Sequence, residues 1–258
     1  MLKQRSNLVV TTLVAVFLVP RLGIAQPDDT SVYTAATTPW GHPDFQGVWD
    51  RRTITPLERP ERLAGKSFLT AEEIIAYEKA SAARPDGRPL DARRAGISVH
   101  DPQDLDYGST VLATGQTSLV VDPPDGRIPA YTQAANERAA AAAQVRESRG
   151  SADSWTDRSL NERCLTWGMP NGMLPQAYNN NIQIIQTPNE VMILTEMVHD
   201  ARIIPLDGRP HISKKITQWH GDARGHWEDE TLVIETTNFS AKSSFRRSSS
   251  NLQLEERY

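Results

Sequence analysis

The sequence predicts a mainly β fold: an antiparallel meander that forms a partly closed barrel, with two peripheral helices and long loops, and a two-sheet sandwich as the alternative. Three observations carry this. Between Tyr178 and Phe239, short runs rich in Ile, Val, Leu and Thr alternate with turn chemistry at Thr187-Pro188-Asn189, Asp207-Gly208, Gly221-Asp222 and Asp229-Glu230. Helix signals are confined to residues 70–83 and 132–148. The 17 Pro and 15 Gly favour a domain with long irregular arms.

The first 25 residues read as a cleaved secretory signal. Lys3 and Arg5 precede an apolar run from Leu8 to Val19, followed by Pro20, Gly23 and Ala25. The run is shorter than the roughly 20 apolar residues that a membrane span needs. The mature chain is therefore expected in the periplasm or secreted, with no membrane span. That segment carries Lys3, Arg5 and Arg21 and no acid, so its removal leaves the chain more negative than the formal charge of −4. An acidic balance argues against nucleic acid as a partner, because phosphate binding needs a concentrated basic face. With Cys164 as the one cysteine, no intramolecular disulfide forms and the core must hold the fold.

Residues 26–44 read as a flexible leader and 45–258 as one β-rich domain. Phe45, Gly47 and Trp49 share one parity of an extended segment, which places an aromatic at one end of a sheet. Thr70 and Glu73 form a capping box that opens a helix through about Ala83. Residues 84–107 are charged and aperiodic, a surface excursion. Ser118 to Asp122 reads as a short strand stopped by Pro123-Pro124. Thr132 caps an alanine-rich helix from Ala134 to Glu147 that has little to bury. Ser159 and Glu162 make a second capping box, which starts a turn carrying Arg163 and Cys164. Beyond residue 180 the strands are Val191 to Ile204, Lys214 to Trp219, His226 to Glu228, Thr231 to Thr237 and Leu252 to Glu256. The last of these stops at Tyr258 with no turn or polar tail, so the chain is expected to be the front part of a longer protein.

Five segments, SLVVDPPDGRIP (118–129), ERCL (162–165), YNNN (178–181), HDARIIPLDGRPH (199–211) and GHWEDETLVIETTNF (225–239), together resemble a group of exported bacterial proteins of unassigned function. That resemblance implies no activity. The G-x-W spacings at Gly47 and Gly225, with the meander, resemble lipocalin-like barrels, whose interior holds one small ligand.

Candidate site residues concentrate in the meander. Read as one strand, Val191 to Ile204 places Glu196, Asp200 and Arg202 on one face and His199 on the other. Glu196, Asp200 and His220 are the acid–base candidates, since an adjacent Arg keeps one carboxylate ionised while burial raises the other. A structural ion pair explains Asp200 and Arg202 equally well. Tyr178, Asn180, His199, Arg202, Trp219 and Trp227 are the ligand-binding candidates, the amide run 179–181 being suited to polar ligands and equally to a turn. His199, Asp200, His211, His220, Asp222 and His226 are ligand-type residues without metal-motif spacing, and no metal or cofactor is assigned. Cys164 is expected to be a small buried residue. No phosphate loop, dinucleotide glycine pattern, G-x-S-x-G elbow or H-E-x-x-H occurs. Two functions follow: binding of a small, partly apolar molecule in a barrel cavity, or a hydrolase or lyase with its acid–base group at the barrel mouth.

Overall fold

Alternating burial organises the first sheet. In β2 (Asn181–Gln186) the side chains of Ile182, Ile184 and Gln186 are buried while their neighbours are exposed. In β3 (Glu190–Thr195) the buried set is Val191, Ile193 and Thr195. The two strands are joined at Thr187-Pro188-Asn189, where the Thr187 hydroxyl accepts from the amides of Asn189 and Glu190. With β1 (Gly47–Asp50) and β4 (Ala201–Pro205) they make a four-stranded antiparallel sheet in the order β1-β2-β3-β4. A second antiparallel sheet has the order β5-β6-β7, from β5 (Asp222–Glu228), β6 (Thr231–Thr237) and β7 (Leu254–Arg257). The computed structural model describes residues 36–84, 107–243 and 245–258. The signal segment, most of the charged excursion and the first part of the leader lie outside the described residues.

Both sheets contribute to one core: Ile182, Ile184, Val191, Ile193 and Ile204 from the first, Ala223, Leu232 and Ile234 from the second. Gly225 lets β5 lie close to β4. A Cβ there would sit 2.6 Å from Leu206 Cδ2 and 2.9 Å from Ile204 Cγ2.

The expected barrel does not form. Closure requires the first and last strands of a sheet to pair, whereas β1 pairs only with β2, β4 only with β3, and neither sheet returns on itself. Apolar side chains of the two open sheets fill the space that a barrel lumen would occupy, so the expectation of a ligand held in a lumen falls with the barrel.

The single strand from Val191 to Ile204 is also corrected. The chain reverses between Glu196 and Asp200, with Val198 and His199 at φ of 60° and 44°. The Thr195 hydroxyl donates to the Met197 carbonyl at 3.0 Å and the Thr195 amide to Asp200 O at 2.9 Å, which closes the reversal. Val191 then stands opposite Ile204 and Ile193 opposite Arg202. Odd positions of β3 and even positions of β4 therefore share the buried face, so the parity argument grouping Glu196, Asp200 and Arg202 does not hold.

Residues 214–219 form no strand. The Asn238 side-chain amide, itself buried, donates to the carbonyls of Ile212, Ser213 and Ile216 and holds that segment as a loop. Residues 118–122 are likewise no ladder strand, although the amides of Leu119 and Val120 bond the carbonyls of Pro56 and Leu57. Trp49 of the first G-x-W stays 43% exposed and donates to Phe45 O, while Trp227 of the second stacks on His42 and tilts against Phe45. The helices follow their caps. α1 (Ala71–Ala82) has the full Thr70–Glu73 box, and α2 (Gln133–Glu147) is capped by Thr132 and lies largely exposed. Cys164 is exposed, at φ 53°, not buried.

Candidate functional site

Three segments distant in sequence meet at the end of the 196–200 reversal. Asp200 leads out of it into β4. His220 precedes Gly221, whose φ of 72° brings the chain so near β6 that a Cβ would lie 2.5 Å from Thr237 O. Thr166 comes from the stretch after Cys164 and is 2% exposed.

The three polar groups form a closed triangle. Thr166 Oγ1 lies 2.9 Å from Asp200 Oδ2 and 2.7 Å from His220 Nε2, and that nitrogen lies 3.0 Å from the same carboxylate oxygen. The Gly168 amide donates to Thr166 Oγ1 at 2.9 Å, and the Trp167 amide to Asp200 Oδ2 at 3.3 Å. Thr166 has one hydroxyl proton to give. When Nε2 is protonated, imidazole and hydroxyl both donate to Asp200; when it is not, the hydroxyl donates to the imidazole. Asp200 Oδ1 and His220 Nδ1 make no hydrogen bond among the described residues, and in the neutral ring whose Nε2 accepts from Thr166 it is Nδ1 that carries the proton. The side chains of Asp200 and His220 are 17% and 19% exposed, so the cluster is sheltered but not sealed.

Thr166 also lines a cavity of about 230 Å³ whose walls include Asn161, Trp167, Asn171, Lys242 and Ser243. Its lining is mostly polar. Lys242 brings a positive charge with no acidic partner among the described residues.

The other predicted residues go elsewhere. Glu196 accepts from the Asn181 amide at 3.1 Å and makes no bond to Asp200 or His220. Asn180 is buried and exchanges two hydrogen bonds with the Gln176 backbone, so its amide closes the bend before β2. Tyr178 is half-buried in that bend, and His199 is exposed on the reversal. Arg202 is buried against Glu256. The Trp219 carbonyl accepts from the Ser243 hydroxyl, and the residue is 38% exposed. None of these, nor Trp227, lines either this cavity or the larger one beside Ile54.

The six ligand-type residues are not gathered. His211 pairs with Asp222 at 2.8 Å, His220 with Asp200, and His226 with Glu228 at 3.4 Å. No group of three His, Cys, Asp or Glu able to hold a metal ion occurs among the described residues. Asp222 is held below the usual carboxylate range. Burial pushes it up, but hydrogen bonds from His211, the Ile212 amide and Arg224 outweigh that.

Sequence reasoning missed Thr166. It lies two residues after Cys164, in a stretch singled out only for its thiol, and nothing local marks a lone Thr as the partner of groups 34 and 54 positions away. Among the described residues no helix is long and apolar enough to cross a membrane. Comparison with protein-family models, curated proteins and solved structures finds no match.

Proposed function

We propose that this chain is an enzyme of the hydrolase or lyase class that acts on a small molecule held beside Thr166, with His220 as the base. The observation that carries the reading is the Thr166–His220–Asp200 triangle, one corner of which lines a cavity. In this reading the Thr166 oxygen takes a proton from the substrate, or from a water attacking it, and gives its own proton to His220 Nε2. Asp200, 3.0 Å from that nitrogen, stabilises the imidazolium so formed. The return of the proton to the leaving group completes the cycle. Glu196, whose carboxylate is used by the Asn181 amide, takes no part. Export to the periplasm or the medium, expected from residues 1–25, and kinship with the exported bacterial group belong to the same proposal.

The test is turnover of small chromogenic esters, amides and β-elimination substrates by the full chain and three variants. A positioned acid–base group contributes about 10²–10⁴-fold, so His220→Gln and Thr166→Val should each lose roughly 100-fold or more. Thr166→Ser, which keeps the hydroxyl, should stay within about tenfold of the parent. Turnover that survives His220→Gln, or no turnover with any probe, overturns the reading.

A second reading, in which the chain holds a small, partly apolar molecule without converting it, is favoured by a cavity of about 450 Å³ lined in part by Ile54, Leu57 and Leu174.

A further inference from the structure

Among the described residues, Arg59 is a buried guanidinium without a carboxylate. It is 6% exposed, and its hydrogen bonds go to neutral groups: Nε to Thr117 Oγ1 at 2.9 Å, Nη1 to Pro124 O at 2.8 Å and Nη2 to Ser67 Oγ at 3.5 Å. A guanidinium has five N–H groups. One on each terminal nitrogen is therefore left over among the described residues.

The surroundings are built around that cation. Arg59 N donates to Gly126 O at 2.8 Å, and Gly126, at φ 70°, brings the 123–126 turn against the guanidinium. A Cβ on Gly126 would lie 3.0 Å from Arg59 Cζ and 2.4 Å from Ser118 Oγ, so glycine is the residue that lets the turn close.

Arg59 lines the cavity of about 450 Å³. The other charged groups of its wall are paired, Arg246 with Glu58 at 3.1 Å and Arg127 with Glu61 at 2.8 Å. Among the described residues, three guanidinium groups thus line this cavity with two carboxylates, and Arg59 is the one left over. A buried charge without a counter-charge is strongly unfavourable.

We infer that this cavity binds a small organic carboxylate with an apolar body, its carboxylate on Arg59 and its body against Ile54, Leu57, Leu119 and Leu174. Arg is suited to this because its planar donors match carboxylate geometry. The volume falls within the roughly 300–1,000 Å³ of small-molecule sites. The apolar wall excludes inorganic phosphate as the preferred ligand. The inference rests on the holding reading and names its ligand class. It is independent of the acid–base reading, because the two cavities share no lining residue.

Calorimetric titration of the full chain with benzoate, phenylacetate and hexanoate, with their amides and with inorganic phosphate, tests it. At least one acid should bind tenfold or more tightly than its amide, and phosphate more weakly than that acid. Arg59→Met should erase the difference between acid and amide. Because Arg59 also holds Thr117 and Pro124, a second variant, Leu174→Trp, narrows the cavity and leaves the guanidinium; it should weaken acid binding at least tenfold. Equal affinity for acids and amides overturns the anion inference and leaves the holding reading standing. No binding of any acid or amide overturns both. Phosphate binding as tightly as the best acid overturns the apolar body.

Discussion

Arg202 of β4 and Glu256 of β7 form a two-pronged ion pair that ties one sheet to the other, with Nη1 3.1 Å from Oε1 and Nη2 2.6 Å from Oε2. Their side chains are 3% and 10% exposed. Burial acts against the guanidinium charge, but the Glu256 carboxylate outweighs it and holds Arg202 above its usual pKa. Removing one partner of such a pair leaves a buried charge and costs roughly 3–5 kcal/mol, whereas replacing both with apolar groups is often close to neutral. Glu256→Ala should therefore lower the urea midpoint far more than Arg202→Met with Glu256→Leu. A Glu256→Ala midpoint close to the parent's would show that the pair does not hold the sheets.

Tyr258 donates to Glu256 Oε1 at 2.9 Å. Burial, and then the Glu256 charge, push its phenol well above the usual value. A group whose folded pKa is raised gives stability that is complete below its unfolded pKa, about 10 for Tyr, and lost as pH climbs toward the folded value. The parent should lose stability as pH rises above about 10. Tyr258→Phe should lose less over the same rise, as read from urea melts, and parallel curves would dismiss the assignment.

Asp222 sits under His211, the Ile212 amide and Arg224, at 2.8, 3.0 and 2.7 Å. Its folded pKa is lowered, so its contribution is present above the unfolded value of about 4 and disappears as pH falls through the folded one. Asp222→Asn should cost about 1–3 kcal/mol at neutral pH and flatten the acid limb of the stability curve below about pH 4. An acid limb as steep as the parent's would assign that limb to other carboxylates.

Gly225→Ala forces a methyl into Leu206 and Ile204. Overpacking of this kind costs roughly 1–3 kcal/mol, read as a lower melting temperature. Since Leu206 Cδ2 is the nearest atom, Leu206→Ala in the Gly225→Ala background should recover part of the loss. A further drop instead would place the clash on Ile204.

The acid–base cluster was half legible. Asp200 and His220 stand out as residue types, but the argument for Asp200 rested on a strand face shared with Glu196 that the reversal abolishes. Neither Val198 nor His199 is glycine, so nothing in the string VMILTEMVHDARII marks two consecutive left-handed residues. Such positions persist only where the surroundings hold them, and here the Thr195 hydroxyl and buried Met197 do so. Arg59 was not legible at all. Its singularity lies in the partner it lacks, and that is a property of everything around it.

By itself the sequence determined what is settled within a few residues: the caps of α1 and α2, the turns at 187–189 and 229–230, and the extent of β6. These follow from local hydrogen bonding and from the direction in which successive side chains point. Tertiary structure decided that the strands form two open sheets rather than a barrel, that Thr166 completes the triangle with Asp200 and His220, and that Arg59 is buried without a counter-charge among the described residues. The physical reason is one of range. Strand closure, the meeting of groups from three segments and the pairing of buried charges depend on where distant backbone arrives, and no local pattern encodes that arrival.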